Sequence, residues 1–320
     1  MKTALICGIS GQDGAYLCKH LIEKGYKVIG TSRDAQMSSF QSLKTLGIRN
    51  QVAVESMSLT DFRSVLQVLD RHKPDEIYNL AGQSSVGLSF QQPVETLDSI
   101  VTGTINLLEV LRFIGSDCRL YNACSGECFG DTFHHPADEH SPFRPKSPYA
   151  VAKAAAFWAV ANYRDAYGLF ACSGLLFNHE SPLRPARFVT QKIIQYACNL
   201  HKNGSTDEKL VLGNIEISRD WGWAPEYIEA MHKILQQDKA DDFIIATGES
   251  HSLKEFIIET FTQLDLDWQA HIEIHDEFMR PSDIMISDAN PAKALMELDW
   301  RANYKMKDVI RMMIESKLEN

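Results

Sequence analysis

At 320 residues, the chain is long enough to bury a substantial core and to form about two domains' worth of structure. Its composition, 44% hydrophobic and 23% charged, is that of an ordinary globular protein, and no apolar run approaches the ~20 residues of a membrane helix. A net charge of −10 with no Lys- or Arg-rich run excludes a broad nucleic-acid footprint, yet leaves room for a small anionic ligand held by a few arginines.

The first apolar stretch, Met1 to Cys7, runs into glycines too soon for a signal peptide and reads as a buried strand over Thr3–Cys7. The seven cysteines are odd in number and include no Cys-x-x-Cys pair, which fits free thiols in a reducing cytosol and a cytoplasmic protein. Gly8-Ile9-Ser10-Gly11-Gln12-Asp13-Gly14 follows the strand and opens a helix over Gly14–Lys24. Glycines in such a turn allow close backbone approach, and the helix N-terminus favours a pyrophosphate. The spacing is G-x-x-G-x-x-G rather than the G-x-G-x-x-G of ordinary dehydrogenases, so the flanking strand and helix carry the dinucleotide reading.

A second strand over Lys27–Thr31 leads to Ser32-Arg33-Asp34. An acid there grips the ribose diol of NAD, whereas an arginine favours the extra phosphate of NADP. Arg33 comes first and Ser32 can also donate to phosphate, so NADP is favoured while NAD stays open.

Further strands over Gln51–Val54, Glu76–Asn79, Arg119–Ala123 and Leu169–Leu175 alternate with helices over Thr60–His72, Val94–Ile114 and Pro148–Tyr167. Such alternation is the signature of an α/β protein with a parallel sheet covered on both faces. Ser147-Pro148 caps the last of these helices, which puts Tyr149 and Lys153 four residues apart on one face. Oxidation of a carbinol needs a base near neutral pH; tyrosine titrates near pH ~10, and a neighbouring ammonium favours its phenolate. Ser125-Gly126-Glu127 follows the fifth strand, at the sheet edge where ligands bind in open α/β folds, and Ser125 can reach the same hydroxyl.

After about residue 178 the alternation breaks down. Helices near Phe188–His201, Ala224–Gln237, Leu253–Thr262 and Met306–Lys317 mix with short strands at Lys209–Leu212 and Phe243–Ala246, and the polar stretch His201–Glu208 reads as an exposed turn. The expected division is a dinucleotide-binding domain over 1–178, to which later segments return, and a smaller interleaved substrate-binding lobe over 179–320. Cys124, Cys128 and His134-His135 lie close in sequence, but the pattern is not a standard zinc arrangement. His179-Glu180 reads as a hydrogen-bonding corner rather than a base.

The glycine turn and the Ser125, Tyr149 and Lys153 set together resemble the extended short-chain dehydrogenase/reductase superfamily, with a Rossmann-type doubly wound sheet. Epimerases and simple reductases of that superfamily work with the serine, tyrosine and lysine alone. A sugar 4,6-dehydratase also needs a base for the C5 proton, and GDP-mannose 4,6-dehydratases carry it where Glu127 stands. The resemblance to that family covers nearly the whole chain, through GISGQDGAYL (8–17), DEIYNLAGQSSVG (75–87), SPYAVAKAAAFW (147–158), NYRDAYGLFACSGLLFNHESPLR (162–184), LGNIEISRDWGWAPEYIEAM (212–231) and RPSD (280–283).

That resemblance implies a hydro-lyase that passes hydride from C4 of the sugar to the cofactor and back to C6. Its expected catalytic residues are Ser125, Glu127, Tyr149 and Lys153. The cofactor would lie along Gly8, Gly11, Gln12, Asp13, Gly14, Arg33, Leu59 and Leu80, with Tyr149 and Lys153. Asn178, Lys192 and the backbone around Phe188-Val189 would hold the guanosine diphosphate. Asn214 and Arg219 would follow the ribose and phosphates, Arg280 would clamp the pyrophosphate, and Asp283 would approach the ribose. Self-association as a dimer or tetramer is also implied, without membrane or nucleic-acid partners.

Several positions depart from the family pattern. Cys7 replaces a threonine, Ser58 an aspartate near the adenine, Arg33-Asp34 a double arginine, Cys124-Ser125-Gly126-Glu127 a Ser-Thr-Ser-Glu run, and Asp283 a glutamate. An epimerase or reductase, a dehydratase of another GDP-hexose, and a non-catalytic nucleotide sensor remain alternatives.

Overall fold

The apolar runs of the first half become strands buried on both faces, except at the half-exposed edge strand over Ala53–Ser56, as a parallel sheet between two helical layers demands. The computed structural model describes residues 1–133, 135–204 and 208–319. Its main sheet has seven parallel strands: β1 (Thr3–Cys7), β2 (Lys27–Ser32), β3 (Ala53–Ser56), β4 (Glu76–Asn79), β5 (Arg119–Ser125), β6 (Ala171–Leu176) and β10 (Phe243–Ile245). They lie in the order β10-β6-β5-β4-β1-β2-β3, so the winding reverses between β1 and β4. A crevice opens at such a reversal, outside the carboxyl ends of the strands.

Period-two alternation along β1 builds the two layers. Ala4 and Ile6 pack in the core that contains Leu17 and Leu21 of α1 (Gln12–Glu23) and Tyr227 and Met231 of α9 (Ala224–Gln236). Leu5 and Cys7 face the opposite core, with α3 (Phe62–His72), α6 (Gly103–Ile114) and α7 (Pro148–Tyr167). Two short helices, α2 (Gln41–Thr45) and α12 (Ala292–Leu298), extend the first layer.

The second half makes a smaller core of its own. α8 (Val189–Asn203), α10 (Leu253–Thr262) and α13 (Met306–Glu319) pack around Trp221, with α11 (Trp268–His271) beside them. Four short strands, β7 (Asn178–Glu180), β9 (Ser218–Trp223), β11 (Ser250–Ser252) and β13 (Ile286–Ser287), form one small sheet, and β8 (Leu210–Leu212) pairs with β12 (Ile272–Ile274). Among the described residues β11 runs antiparallel to β9, and the other pairings of these short strands are parallel.

Several expectations shift. The single helix expected over 94–114 is α5 (Pro93–Leu97), a π-turn at Asp98–Thr102 and then α6, with α4 (Val86–Gln91) ahead of them. Pro93 starts α5 because its ring fits the first helical turn and lacks only an N–H that would go unpaired there. β3 starts later than expected because Arg49–Gln51 forms a 3-10 turn. β5 runs two residues further and so carries Ser125 at its end. Within the expected turn over His201–Glu208, residues 205–207 lie outside the described residues, and α8 continues to Asn203. Among the described residues no helix is long and apolar enough to cross a membrane.

Candidate active site

The carboxyl edge of the sheet, beside the point where the winding reverses, opens into a cleft of about 370 Å³. It is lined by Ser125, Glu127, Tyr149 and Lys153 together with Asp13, Leu80, Asn178, Phe188, Val189, Lys192, Asn214, Arg219, Arg280 and Asp283. Gly8, Gly11, Gln12, Gly14, Arg33 and Leu59 are not among its walls; they lie at or beyond its glycine-turn end, and Leu59 packs in the core beneath α6.

Ser125 ends β5, and its Oγ accepts the Glu127 N–H at 3.2 Å, which starts the 3-10 turn Gly126–Phe129. The turn swings the Glu127 side chain into the cleft. Tyr149 and Lys153 are fixed by α7, whose cap Ser147 accepts the Ala150 N–H at 3.1 Å. Burial pushes Glu127 above the usual carboxylate range, opposed by Arg219 and Arg280. It lowers Lys153, as burial does for any ammonium.

The phenol departs from expectation. Burial raises Tyr149, a Ser125 hydrogen bond opposes this, and Cys128, Cys124 and Glu127 add to the rise. Lys153 does not bring it down: its Nζ lies 5.8 Å from the ring centroid and donates to Ala123 O at 2.6 Å.

The glycine turn fits a dinucleotide. Gly8 sits at φ +83°, and a Cβ on Gly14 would fall 2.4 Å from Gly8 O, so α1 starts hard against β1. Gly11 offers the helix no side-chain cap, which leaves its first N–H groups for an anion. An acid in that first turn would repel a phosphate, but the Asp13 carboxylate is matched by His179 Nε2 at 3.0 Å. Burial alone would raise Asp13; His179, with Gln12 and Arg184, outweighs it and holds the carboxyl at about 2, while Asp13 in turn holds His179 above its usual value against the effect of burial. The Gln12 amide donates to His179 O at 3.3 Å and accepts from Ser181 Oγ at 2.7 Å, so its side chain braces the turn. Glu180 accepts from Thr190 Oγ1 at 2.7 Å, making residues 179–181 the hydrogen-bonding corner that joins the turn to α8.

Where β2 ends, Asp34 Oδ1 accepts the Gln36 and Met37 N–H groups in a local turn, and Arg33 meets Glu95 at 3.3 Å with its side chain 84% exposed. Cys7 is buried in the sheet and its thiol is pushed up to about 12, a packing role. Cys124 and Cys128 lie 3.7 Å apart at their sulfurs. His134 is outside the described residues, among which no group of three or more His, Cys, Asp or Glu could hold a metal ion.

At the far end of the cleft, Phe188 caps α8 without a side-chain hydrogen bond, so another helix N-terminus faces the space. Arg184 and Arg187, absent from the expected set, flank it and stack on the Phe188 ring at 3.7 and 5.1 Å. The signal for them was local: two arginines three residues apart just before a helix that has no Ser, Thr, Asp or Asn cap. Ser84, Ser85 and Trp221 also line the cleft and were not foreseen. Arg219 is more committed than expected, since its Nη1 donates to Ser218 O and Ile284 O and its Nη2 to Asp283. Asn214 Oδ1 accepts the Glu216 N–H at 2.9 Å, and Asp283 is bound to two arginines.

A doubly wound sheet, a glycine turn at its reversal and a serine, tyrosine and lysine around one cleft define an extended short-chain dehydrogenase/reductase. The fold is shared with dTDP-glucose 4,6-dehydratase of Bacillus anthracis, solved in complex with NAD (TM-score 0.86, 18% identity, covering 100% of this chain and 97% of that one). RMD of Pseudomonas aeruginosa, complexed with NADPH, is similar at a TM-score of 0.81 and 21% identity, covering 100% and 99%. Within that class the chain belongs to the GDP-mannose 4,6-dehydratase family, whose sequence model matches residues 5–313. GDP-mannose 4,6 dehydratase 1 of Arabidopsis thaliana is 42% identical over 99% of this chain and 90% of its own length.

Proposed function

We propose that this chain is a hydro-lyase that converts GDP-mannose to GDP-4-keto-6-deoxymannose. The observation that carries the reading is Glu127, a half-buried acid in the same cleft as Ser125, Tyr149 and Lys153. An epimerase or reductase has no need of it. In the proposed cycle Tyr149 takes the proton of the C4 hydroxyl, with Ser125 holding that oxygen. Glu127 takes the C5 proton, made acidic by the adjacent C4 ketone, and delivers it to the departing C6 hydroxyl, which leaves as water. A proton from solvent is then added at C5 while Tyr149 releases to solvent the one it took from the C4 hydroxyl, so the cycle is proton-neutral. When bound, a nicotinamide cofactor would supply the two-electron chemistry, oxidation at C4 matched by reduction at C6 in the same turnover. Gly8, Gly11, Gly14 and the first turn of α1 would hold its pyrophosphate, and Leu80, in the cleft wall, would flank it.

NADP is the proposed form, because Arg33 stands exposed at the end of β2 while Asp34 is occupied by its own turn. For the nucleotide sugar, Asn178, Val189, Lys192 and Asn214 line the far end, where Arg280 and the α8 N-terminus offer positive charge to the diphosphate. Residues 1–178 act mainly on the cofactor and 179–320 mainly on the nucleotide sugar. The protein works in the cytosol as a homo-oligomer, a dimer or tetramer.

The test is incubation of the purified protein with GDP-mannose and no added cofactor, followed by mass spectrometry. A product lighter by one water is expected, and its formation without supplement would mean that the nicotinamide copurifies. No product, even with NADP or NAD supplied, would overturn the assignment.

A further inference from the structure

Arg219 sits in β9 with its guanidinium held on three sides. Nη1 donates to Ser218 O at 2.9 Å and Ile284 O at 2.7 Å, and Nη2 donates to Asp283 Oδ1 at 3.0 Å. Nε, the remaining edge, lies 3.6 Å from Glu127 Oε1. The Arg219 side chain is 5% exposed and that of Glu127 14%, so the two charges meet away from bulk water, where attraction is weakly screened. Asp283 Oδ1 also accepts from Arg280 Nη1 at 3.2 Å and from the Ile284 N–H at 3.0 Å.

Recognition of a phosphate by arginine uses a free fork of N–H groups. Arg280, 33% exposed and ion-paired among the described residues with Asp283, keeps one. Arg219 is more committed: three of its five N–H donors are taken, two by backbone carbonyls and one by a carboxylate, and its Nε edge faces Glu127. What remains is an alternating row of charge, from Arg280 through Asp283 and Arg219 to Glu127.

We propose that Arg219 is a positioning residue that aims the Glu127 carboxylate into the cleft, and that Asp283 sets how much of the Arg219 charge reaches it. The inference rests on the dehydratase reading, in which Glu127 removes the C5 proton. Charged and titratable groups face Glu127 from every side: Arg219 from β9, Arg280 and Asp283 from the segment before β13, Asp131 after the 3-10 turn, and Tyr149 from α7. Asp131 is itself paired with Lys146. Burial favours the protonated acid, Arg219 is the foremost group opposing it, and Asp283 works in the other direction.

The sign of each substitution follows. Arg219→Gln removes the opposing cation, so Glu127 stays protonated to higher pH. Asp283→Asn removes an anion and leaves the Arg219 charge undivided, so Glu127 ionises at lower pH. The experiment is the pH profile of water loss from saturating GDP-mannose, read by mass spectrometry, for the parent protein, Arg219→Gln, Arg219→Lys and Asp283→Asn. In Arg219→Gln the acidic limb of turnover should move up by ~1 pH unit or more, the usual effect of a charge at this range. Arg219→Lys keeps the charge and should hold the limb near its parent position, while Asp283→Asn should move it down.

If the limbs stay fixed while turnover falls at all pH values, or only KM rises, Arg219 is a structural or phosphate-binding residue and the proposal is overturned. Should Arg219→Gln fail to fold, the direction of the Asp283→Asn limb decides alone. Absence of water loss by the parent protein overturns the dehydratase reading, whereas water loss with immobile limbs overturns only this inference.

Discussion

Tyr149 and Glu127 are asked to accept protons from places where burial favours the protonated form of each. A base whose pKa lies above its ordinary value is the stronger for it once ionised, so burial trades population for strength. Each should therefore be hard to replace: Tyr149→Phe and Glu127→Gln are expected to lower turnover ~10²–10⁴-fold, the range of an acid–base group. Steady-state rates of water loss check this, and near-parental rates in either variant would remove that residue from the chemistry. Asp13 and His179 make a separate prediction about stability. The Asp13 carboxyl is held at about 2 against an ordinary 3.8, so its contribution is present above pH 3.8 and is lost as pH falls toward 2. His179 is raised above an ordinary 6.5, so its contribution is present below 6.5 and fades as pH rises through the higher folded value. The stability gap between the parent protein and His179→Gln, measured by urea unfolding, should thus be widest between pH 3.8 and 6.5 and narrow on both sides. A gap that does not vary with pH would mean the two side chains contribute by packing alone.

Among the elements, the first α-helix is tightly specified by a single residue. A Cβ on Gly14 would meet Gly8 O at 2.4 Å and Ile9 Cα at 2.8 Å, both backbone atoms that cannot swing away. Gly14→Ala must push α1 off β1, which is expected to cost ~1–3 kcal/mol of stability, as overpacking of a filled core does. It should also weaken the nucleotide site, so denaturant unfolding together with the absorbance of released nucleotide reads both effects. Full stability and full nucleotide content would show that the turn tolerates the shift. Elements of this kind were legible in the sequence because their cause is local. β1 and β6 are largely apolar runs buried on both faces, and Ser147-Pro148 announces α7. β9 was not legible, since Ser218-Arg219-Asp220 looks like a solvated loop until the Arg219 ion pairs and the Thr247 and Gly248 N–H groups that satisfy Asp220 are brought to it. The π-turn at Asp98–Thr102 has no sequence mark either; it is a feature of the backbone, and its Ile100 joins Tyr149 in one buried cluster. The same division holds for the site. Ser125 with Glu127, and Tyr149 with Lys153, are pairs within one segment and could be read off. Contacts that join distant segments, such as Asp13 with His179 or Glu127 with Arg219, required the fold.

At the scale of the whole molecule, the face of α7 turned away from the cleft carries an unusual load. Trp158 is 61% exposed and Val151 45% exposed; seven residues apart, they lie along one side of the helix. Beside them, α5 and α6 pack on α7 and leave Val94 and Phe113 open to solvent. A chain with a net charge of −10 repels its copies at long range, so stable association requires an apolar face that buries enough surface to overcome this. Large aromatics at the centre of such a face hold most of its binding energy, and a buried carboxylate in their place has no partner. Light scattering after size exclusion should therefore find the parent protein as a dimer or tetramer, and Trp158→Glu shifted toward monomer at the same concentration. Tyr149 and Lys153 lie on the buried side of the same helix, so the variant should keep its helical circular dichroism and still release water from GDP-mannose within a few-fold of the parent. An unchanged mass in Trp158→Glu would place the contact on another face, and a monomeric parent would remove self-association from the account of this protein.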